Sequence, residues 1–523
     1  MNTSLEFSVI PGYNGAQWID CFPPHFSFPI TKKGYTMFQN TSRRQFLKTS
    51  SVLTAGATLV GGLTISQSAH AAGSDEIKLA LIGCGGRGSG AIRDRVLVGD
   101  NCKVVAIADA FENNANMAAN DIRRDAENED NALHNKVDLP DDHVFHGLDA
   151  YKKAIACLDP GDEVLLCTPP GFRPYQYRAA VEKGCHVFME KPIFVDAPGF
   201  HHTMATNKMA DAKNLKVCVG FQYRVDPCRY NWIEQIHAGK IGDIMYTRIL
   251  YNIPIIWVRN REPGEDEMHF QVRNWYHFPW ICGDNIVEQH VHSVDIATWI
   301  HGKGDPMAHP IEANAQGGRT FKAGPDELMR QAPPFADRVA WDEWYWANRQ
   351  AFKRHGQAWD HFFTEFTYAD GSRIYSQARH MNNCFNMVDD SVYGTAGSGS
   401  VNNSAPSRLL GLNGTVIWEN AEGIPKGKNA PQWEHDLHVK AIRENTPKND
   451  GYFAATTCMT AVLGREAAYS GKLIKWDELV EKGRSYLPDG ERTSFGQTPP
   501  VLPDADGFYE SSVPVPGVYN PFG

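Results

Sequence analysis

One stretch constrains the fold more than any other. Ile77-Lys-Leu-Ala-Leu-Ile82 runs straight into Gly83-Cys84-Gly85-Gly86-Arg87-Gly88, and residues 91–97 then read as a helix. A near-continuous apolar run fits a strand covered on both faces, the condition of a central strand in a parallel sheet. In the G-x-G-x-x-G spacing, Gly83 permits the tight turn, Gly85 lets the backbone approach a pyrophosphate, and Gly88 lets helix and strand pack closely. Gly86 and Arg87 complete the loop, and the helix N-terminus offers N–H donors and positive dipole to phosphate oxygens. A second run, residues 103–108, ends at Asp109, at the distance where an acidic residue meets the adenosine ribose. A carboxylate there repels a 2′-phosphate, and no Arg or Lys follows at once. NAD is therefore expected as cofactor, with NADP left open by Arg87 beside the phosphates.

The alternation continues. Residues 163–167 end in Thr168-Pro169-Pro170, residues 185–189 in Glu190-Lys191-Pro192, and residues 216–220 in Phe221-Gln222-Tyr223-Arg224. Strands alternating with helices imply a parallel sheet with ligands at its carboxyl edge, and all three polar clusters fall there. At 523 residues the chain exceeds what one core accommodates, so a second domain is expected. The boundaries read as a dinucleotide-binding domain over 75–196, to which strand 216–220 returns, a substrate and oligomerisation domain over 225–484, and a Pro/Gly-rich tail over 485–523.

The glycine loop, the T-P-P turn, the E-K-P tripeptide and the G-F-Q-Y-R run together resemble the Gfo/Idh/MocA oxidoreductases, over nearly all of the chain after residue 71. The resemblance implies hydride transfer between NAD and an alcohol. It implies that Thr168, Pro169, Glu190 and Lys191 belong to the cofactor site. It also sets Lys191 beside the nicotinamide and the substrate hydroxyl, where an ammonium can polarise a carbonyl or relay a proton. The expected class is α/β: an N-terminal Rossmann domain with a doubly wound parallel sheet, plus a C-terminal α/β domain with an open, mostly antiparallel sheet. Alternating residues over 362–368 and 372–378 around Asp370-Gly371 suggest a hairpin of that second sheet. In the family the free face of such a sheet supports homo-oligomer contacts.

Residues 283–299 read as one helix on which Glu288, His292 and Asp295, spaced i, i+4 and i+7, share a face that Asp284 extends by a turn. That spacing suits proton transfer: His292 takes the proton of a substrate hydroxyl, Glu288 anchors a neighbouring hydroxyl, and Asp295 orients the imidazole or the helix. In the resembling family a carboxylate and a histidine four residues later do this work, with Asp more often than Glu at the first position. Glu288, His290 and His292 also form a carboxylate–histidine cluster, but histidines two apart on a helix diverge, and no metal centre is expected. Arg224, Arg273, Trp275, Tyr276 and Asp295 are candidate substrate contacts. The aromatic enrichment over 275–280 and 341–346 suits sugar stacking and ordinary core equally.

The N-terminal part reads differently. Arg43-Arg44 with Phe46, Leu47 and Lys48, a mildly apolar stretch over 51–65, and Ala69-His70-Ala71 form an export signal that resembles the twin-arginine type. Residues 37–71 are assigned to it, with Met37 as the start, residues 1–36 as an extension before it, and cleavage near Ala71. That pathway exports folded proteins, so the resemblance implies a periplasmic location and a cofactor that stays bound, with the twin-arginine machinery as partner. A net charge of −10 argues against nucleic-acid and anionic-membrane partners. The eleven cysteines contain no C-x-x-C pair and are expected to be mostly free thiols. The reading is an exported oxidoreductase acting on a hydroxyl of a sugar, polyol or glycoside. An NAD-dependent glycoside hydrolase working by transient oxidation and elimination, a non-catalytic sugar-binding protein and a metal-dependent lyase or hydrolase are the other readings. The E-K-P lysine favours simple redox.

Overall fold

A computed structural model describes residues 75–319, 334–402, 405–420, 423–424 and 426–523. The export signal, the stretch before it and residues 320–333 lie outside the described residues.

Six strands, β1 (Ile77–Ile82), β2 (Cys102–Asp109), β3 (Val144–His146), β4 (Glu163–Leu166), β5 (His186–Met189) and β6 (Val217–Val219), form a parallel sheet in the order β3-β2-β1-β4-β5-β6. The strand order reverses between β1 and β4, which opens the crevice where ligands bind in doubly wound sheets. Every residue of β1 except Lys78 is buried, as a strand covered on both faces requires. Leu79 and Leu81 join the core beneath the helices Gly86–Val96 and Glu112–Glu127. Ala80 and Ile82 join the core beneath Arg173–Lys183, Ala197–Ala212 and Gly451–Ser470. A helix from far along the chain, Ala430–Arg443, completes the first of these faces through Ile442. The edge strand β6 is finished by the same distant stretch: Val217 N donates to Lys448 O and Asp450 N to Val217 O, both at 3.0 Å.

The second sheet contains β7 (Ile244–Ile253), β8 (Glu312–Gly318), β9 (His361–Thr367), β10 (Arg373–His380), β11 (Met387–Gly394), β12 (Gly397–Asn402), β13 (Ala405–Gly411), β14 (Val416–Asn420) and β15 (Ile474–Lys475). Their order is β14-β13-β12-β11-β7-β10-β9-β8-β15, and only the β7–β10 pair runs parallel. The expected hairpin around Asp370-Gly371 is β9–β10. Alternation sets Phe362, Phe366 and Ile374 on the covered face and Phe363 and Tyr375 on the other. On that open face Tyr246 stacks on Tyr393 at 4.5 Å.

The helix Gly451–Ser470 lies between the two layers and is buried almost all round, which explains its run of Ala, Thr, Cys and Gly. The tail beyond residue 483 has little regular structure, yet it lies across its own body, with Tyr509 fully buried and Leu487 nearly so. The cysteines among the described residues are free thiols.

The single helix expected over 283–299 is two helices, Asn285–Glu288 and Val291–Gly302, parted at Gln289-His290.

Candidate active site

The glycine loop shows which of its glycines the protein itself needs. Gly83 has φ +93°, and a Cβ on Gly88 would lie 1.8 Å from Gly83 O, so turn and helix packing account for both. Gly85 has an ordinary extended backbone, and a Cβ on Gly85 or Gly86 would meet nothing within 4 Å. The space above those two residues is open at a helix N-terminus, the cradle a pyrophosphate would fill. Asp109, at the end of β2, accepts from Cys84 N (2.7 Å), Phe111 N (2.9 Å) and Asn114 Nδ2 (3.1 Å). A carboxylate offers about four lone-pair positions, so one is left for a ribose hydroxyl. The residues present thus fit a dinucleotide.

Arg87 reaches from this loop to the end of β5, where its Nε donates to Glu190 Oε1 at 2.5 Å. A Cβ on Gly220 would sit 2.8 Å from Glu190 Oε2, which explains the glycine that opens the G-F-Q-Y-R run. Thr168 Oγ1 donates to Gln176, Pro169 lies beside it half-buried, and the buried Arg173 donates to both Thr168 O and Pro192 O. Arg173 therefore ties the loops after β4 and β5 together.

Lys191, at the carboxyl end of β5, meets the second part of the chain. Its Nζ donates to the Glu288 carbonyl at 2.5 Å and to Glu288 Oε1 at 3.1 Å, while Tyr276 OH donates to Oε2. This contact also accounts for the broken helix. In a continuous helix the Glu288 carbonyl would accept from His292 N, whereas here that N–H turns to Gln289 O at 3.4 Å and the carbonyl serves Lys191.

His292 follows the break. It packs between Tyr223 (5.3 Å) and Phe221 (6.2 Å) and is buried. Burial, with Lys191, Arg229 and Arg87 adding positive charge, pushes its pKa well below the usual histidine range, so the ring is neutral. Its Nδ1 has no hydrogen-bond partner among the described residues. Gln289, at the break, is less buried than its neighbours and accepts from Tyr251 OH at 3.0 Å.

The other candidates are placed apart. Asp295 does not meet the imidazole; it is fully buried and held by Arg224 through Nε and Nη2 (2.9–3.0 Å) and by Thr457 (3.0 Å). Arg224 in turn lies 3.7 Å from the Phe453 ring and 4.9 Å from Trp299. Asp284 caps Asn285 and accepts from Trp359 N and Tyr469 OH, away from the Glu288 carboxylate. His290 points to Ser376 on β10 at 2.6 Å. Arg273 is engaged with Glu265 (2.6 and 2.7 Å), whose carboxyl it holds down at about 2 against the cost of burial. Trp275 packs edge-on against Trp257. Of Arg273, Trp275 and Tyr276, then, only Tyr276 reaches the Lys191–Glu288 pair. Among the described residues no three His, Cys, Asp or Glu side chains converge as metal ligands.

Arg173, Tyr223, Tyr251 and Gln289 complete the surroundings, and none of them was a candidate site residue in the sequence. Tyr223 alone carried a signal, as part of the strand-end run after β6.

Residues 77–221 match the model of an oxidoreductase family with an NAD-binding Rossmann fold, Gfo/Idh/MocA, and residues 40–60 match the twin-arginine translocation signal sequence. No curated protein matches the chain in sequence. Among solved structures the chain is similar to levoglucosan dehydrogenase in complex with NADH and L-sorbose, at 17% identity over 76% of this chain and 98% of that one (TM-score 0.55). It is similar to aldose-aldose oxidoreductase from Caulobacter crescentus complexed with glycerol, at 15% identity over 76% and 99% (TM-score 0.53). A third is apo scyllo-inositol dehydrogenase from Lactobacillus casei, at 17% identity over 77% and 98% (TM-score 0.50). At these identities the likeness is one of fold.

Proposed function

From a chain that carries the NAD-binding domain of the Gfo/Idh/MocA oxidoreductases behind a twin-arginine signal sequence, we propose an exported enzyme that moves a hydride between tightly held NAD and a hydroxyl-bearing carbon of a sugar, polyol or glycoside. The observation that carries this reading is the contact of Lys191, at the carboxyl edge of the dinucleotide domain, with Glu288 of the second domain, beside a neutral His292. NAD, when bound, supplies the hydride acceptor. The open loop at Gly85 and Gly86 would hold the pyrophosphate and Asp109 a ribose hydroxyl, with the Arg87–Glu190 pair beside the loop. His292 is neutral, and its Nδ1 has no hydrogen-bond partner among the described residues, so the ring is free to take the alcohol proton as the carbon is oxidised. Lys191 stabilises negative charge developing on the same oxygen. Glu288 holds Lys191 in place through two bonds and directs its other carboxylate oxygen to Tyr276.

The deciding experiment denatures the purified protein and identifies the dinucleotide it releases, then follows reduced-cofactor absorbance on addition of sugars and polyols. Near-stoichiometric NAD or NADH and alcohol-dependent reduction are expected, with Lys191→Ala and His292→Ala loaded but inactive. Absence of any bound or bindable dinucleotide would overturn the proposal.

A further inference from the structure

Gly464-Arg465-Glu466 and the Pro/Gly-rich tail take no part in the site described above, yet they meet behind it. Arg465 is fully buried on the helix Gly451–Ser470 between the two layers. Its Nη1 donates to Val195 O at 2.8 Å and to Gly283 O at 3.1 Å. Val195 lies on the loop that carries Lys191, and Gly283 opens the segment that leads to Glu288. One nitrogen thus ties together the backbones of the two halves that the Lys191–Glu288 contact joins.

The rest of the guanidinium is held from the other side. Nε and Nη2 donate to Glu466 Oε1 at 3.0 and 2.6 Å. That carboxylate is gripped by the tail: Tyr486 OH donates to Oε1 at 3.1 Å and Tyr519 OH to Oε2 at 2.8 Å. The Tyr486 ring lies 4.3 Å from the guanidinium carbon. The tail also binds the Lys191 loop directly, through Tyr486 N to Asp196 Oδ2 at 2.7 Å. One turn along the same helix, Tyr469 donates to Asp284.

A fully buried ion pair is a costly way to hold elements together, since apolar packing of the same volume does so without desolvating charge. What apolar packing cannot do is bond two carbonyls and a carboxylate in one fixed plane. We propose that Arg465 is a positioning residue that sets the approach of Lys191 to Glu288, and that the C-terminal tail, through Tyr486 and Tyr519, holds Arg465 in that geometry. The inference rests on the reading of Lys191 and Glu288 as the working pair.

The test is acetylation of Lys191 by an amine-reactive ester, followed by mass spectrometry on the full mature protein, with Lys448, paired to Asp450 at 2.8 Å, as internal control. With the tie intact, Lys191 reacts slowly because Glu288 holds its ammonium twice. Arg465→Met raises the Lys191 rate roughly tenfold and leaves Lys448 unchanged, the effect of losing charge-assisted restraint at one place. Arg465→Lys, which keeps a donor for the carbonyls, falls between the two. Tyr519→Phe removes only one hydroxyl from the outer grip and raises the Lys191 rate by roughly threefold. It decides the matter where Arg465→Met does not accumulate as folded protein. In the same variants kcat falls while KM for the alcohol stays near its starting value. An unchanged Lys191 rate in the folded variants, or an equal rise at Lys191 and Lys448, overturns the proposal. Acetylation needs neither alcohol nor turnover, so a wild type that oxidises nothing sinks the functional reading and leaves this result readable.

Discussion

At the scale of single residues, burial decides which groups carry charge. His292 is kept neutral by its surroundings, so the acid limb of kcat/KM is expected to lie below pH 6.5, and an apparent pKa near the free-histidine value would assign the proton to another group. His292→Ala is expected to lower kcat/KM by about 10²–10⁴-fold with the dinucleotide still bound, measured on the loaded enzyme. Asp390 shows the opposite balance. It is fully buried on β11, and burial pushes its carboxyl up to about 7, with Asp389 and Asp295 adding and Arg229 and Ser293 opposing. A carboxyl whose folded pKa is raised binds its proton more tightly in the native state, so it costs stability as pH climbs from about 4 through 7. Asp390→Asn is therefore expected to match the wild type near pH 4 and to exceed it above pH 7. The gain is at most about 4 kcal/mol, the cost of ionising a carboxyl held so far above its ordinary range. Thermal unfolding of the two proteins at both pH values measures this, and equal stabilities above pH 7 would show that Asp390 ionises without penalty.

At the scale of elements, the glycine loop separates structure from binding. Gly85→Leu is expected to abolish dinucleotide binding while unfolding near the temperature of the dinucleotide-free wild type, because a Cβ there meets nothing within 4 Å in the protein itself. Gly88→Ala is expected to destabilise by about 3 kcal/mol, because its methyl must displace Gly83 O. Calorimetry alongside dinucleotide content distinguishes the two. The strands were legible in the sequence because burial on both faces writes a continuous apolar run, as in β1, and half-burial writes alternation, as in β9 and β10. The convergence of Lys191 with Glu288 was visible only as a resemblance. The broken helix was not visible at all: periodicity assumes every carbonyl serves its own helix, and the Glu288 carbonyl serves a lysine 97 residues away. Asp295 was expected to share a face with Glu288 and His292, but the helix breaks between Glu288 and Val291 and a bidentate arginine holds Asp295, a distant partner that no local pattern announces.

At the scale of the whole molecule, the proposed export has its own test. Replacing both Arg43 and Arg44 by Lys is expected to keep the protein in the cytoplasm, folded and loaded with dinucleotide, as cell fractionation and released-cofactor analysis would read. Secretion of the double variant at the wild-type level would refute that route. Beyond the N-terminal signal, the order in which the polypeptide leaves the ribosome matters. The parallel sheet begins at residue 77, but its outer edge is finished by residues 448–450 and one of its faces by the helix Ala430–Arg443. Nascent chain bearing the glycine loop must wait, with that edge and face bare, until nearly the whole message has been translated. On the proposed function, dinucleotide loading is expected to follow synthesis of residues 430–450, and a translocon that threads extended chain would carry the pocket across before it exists.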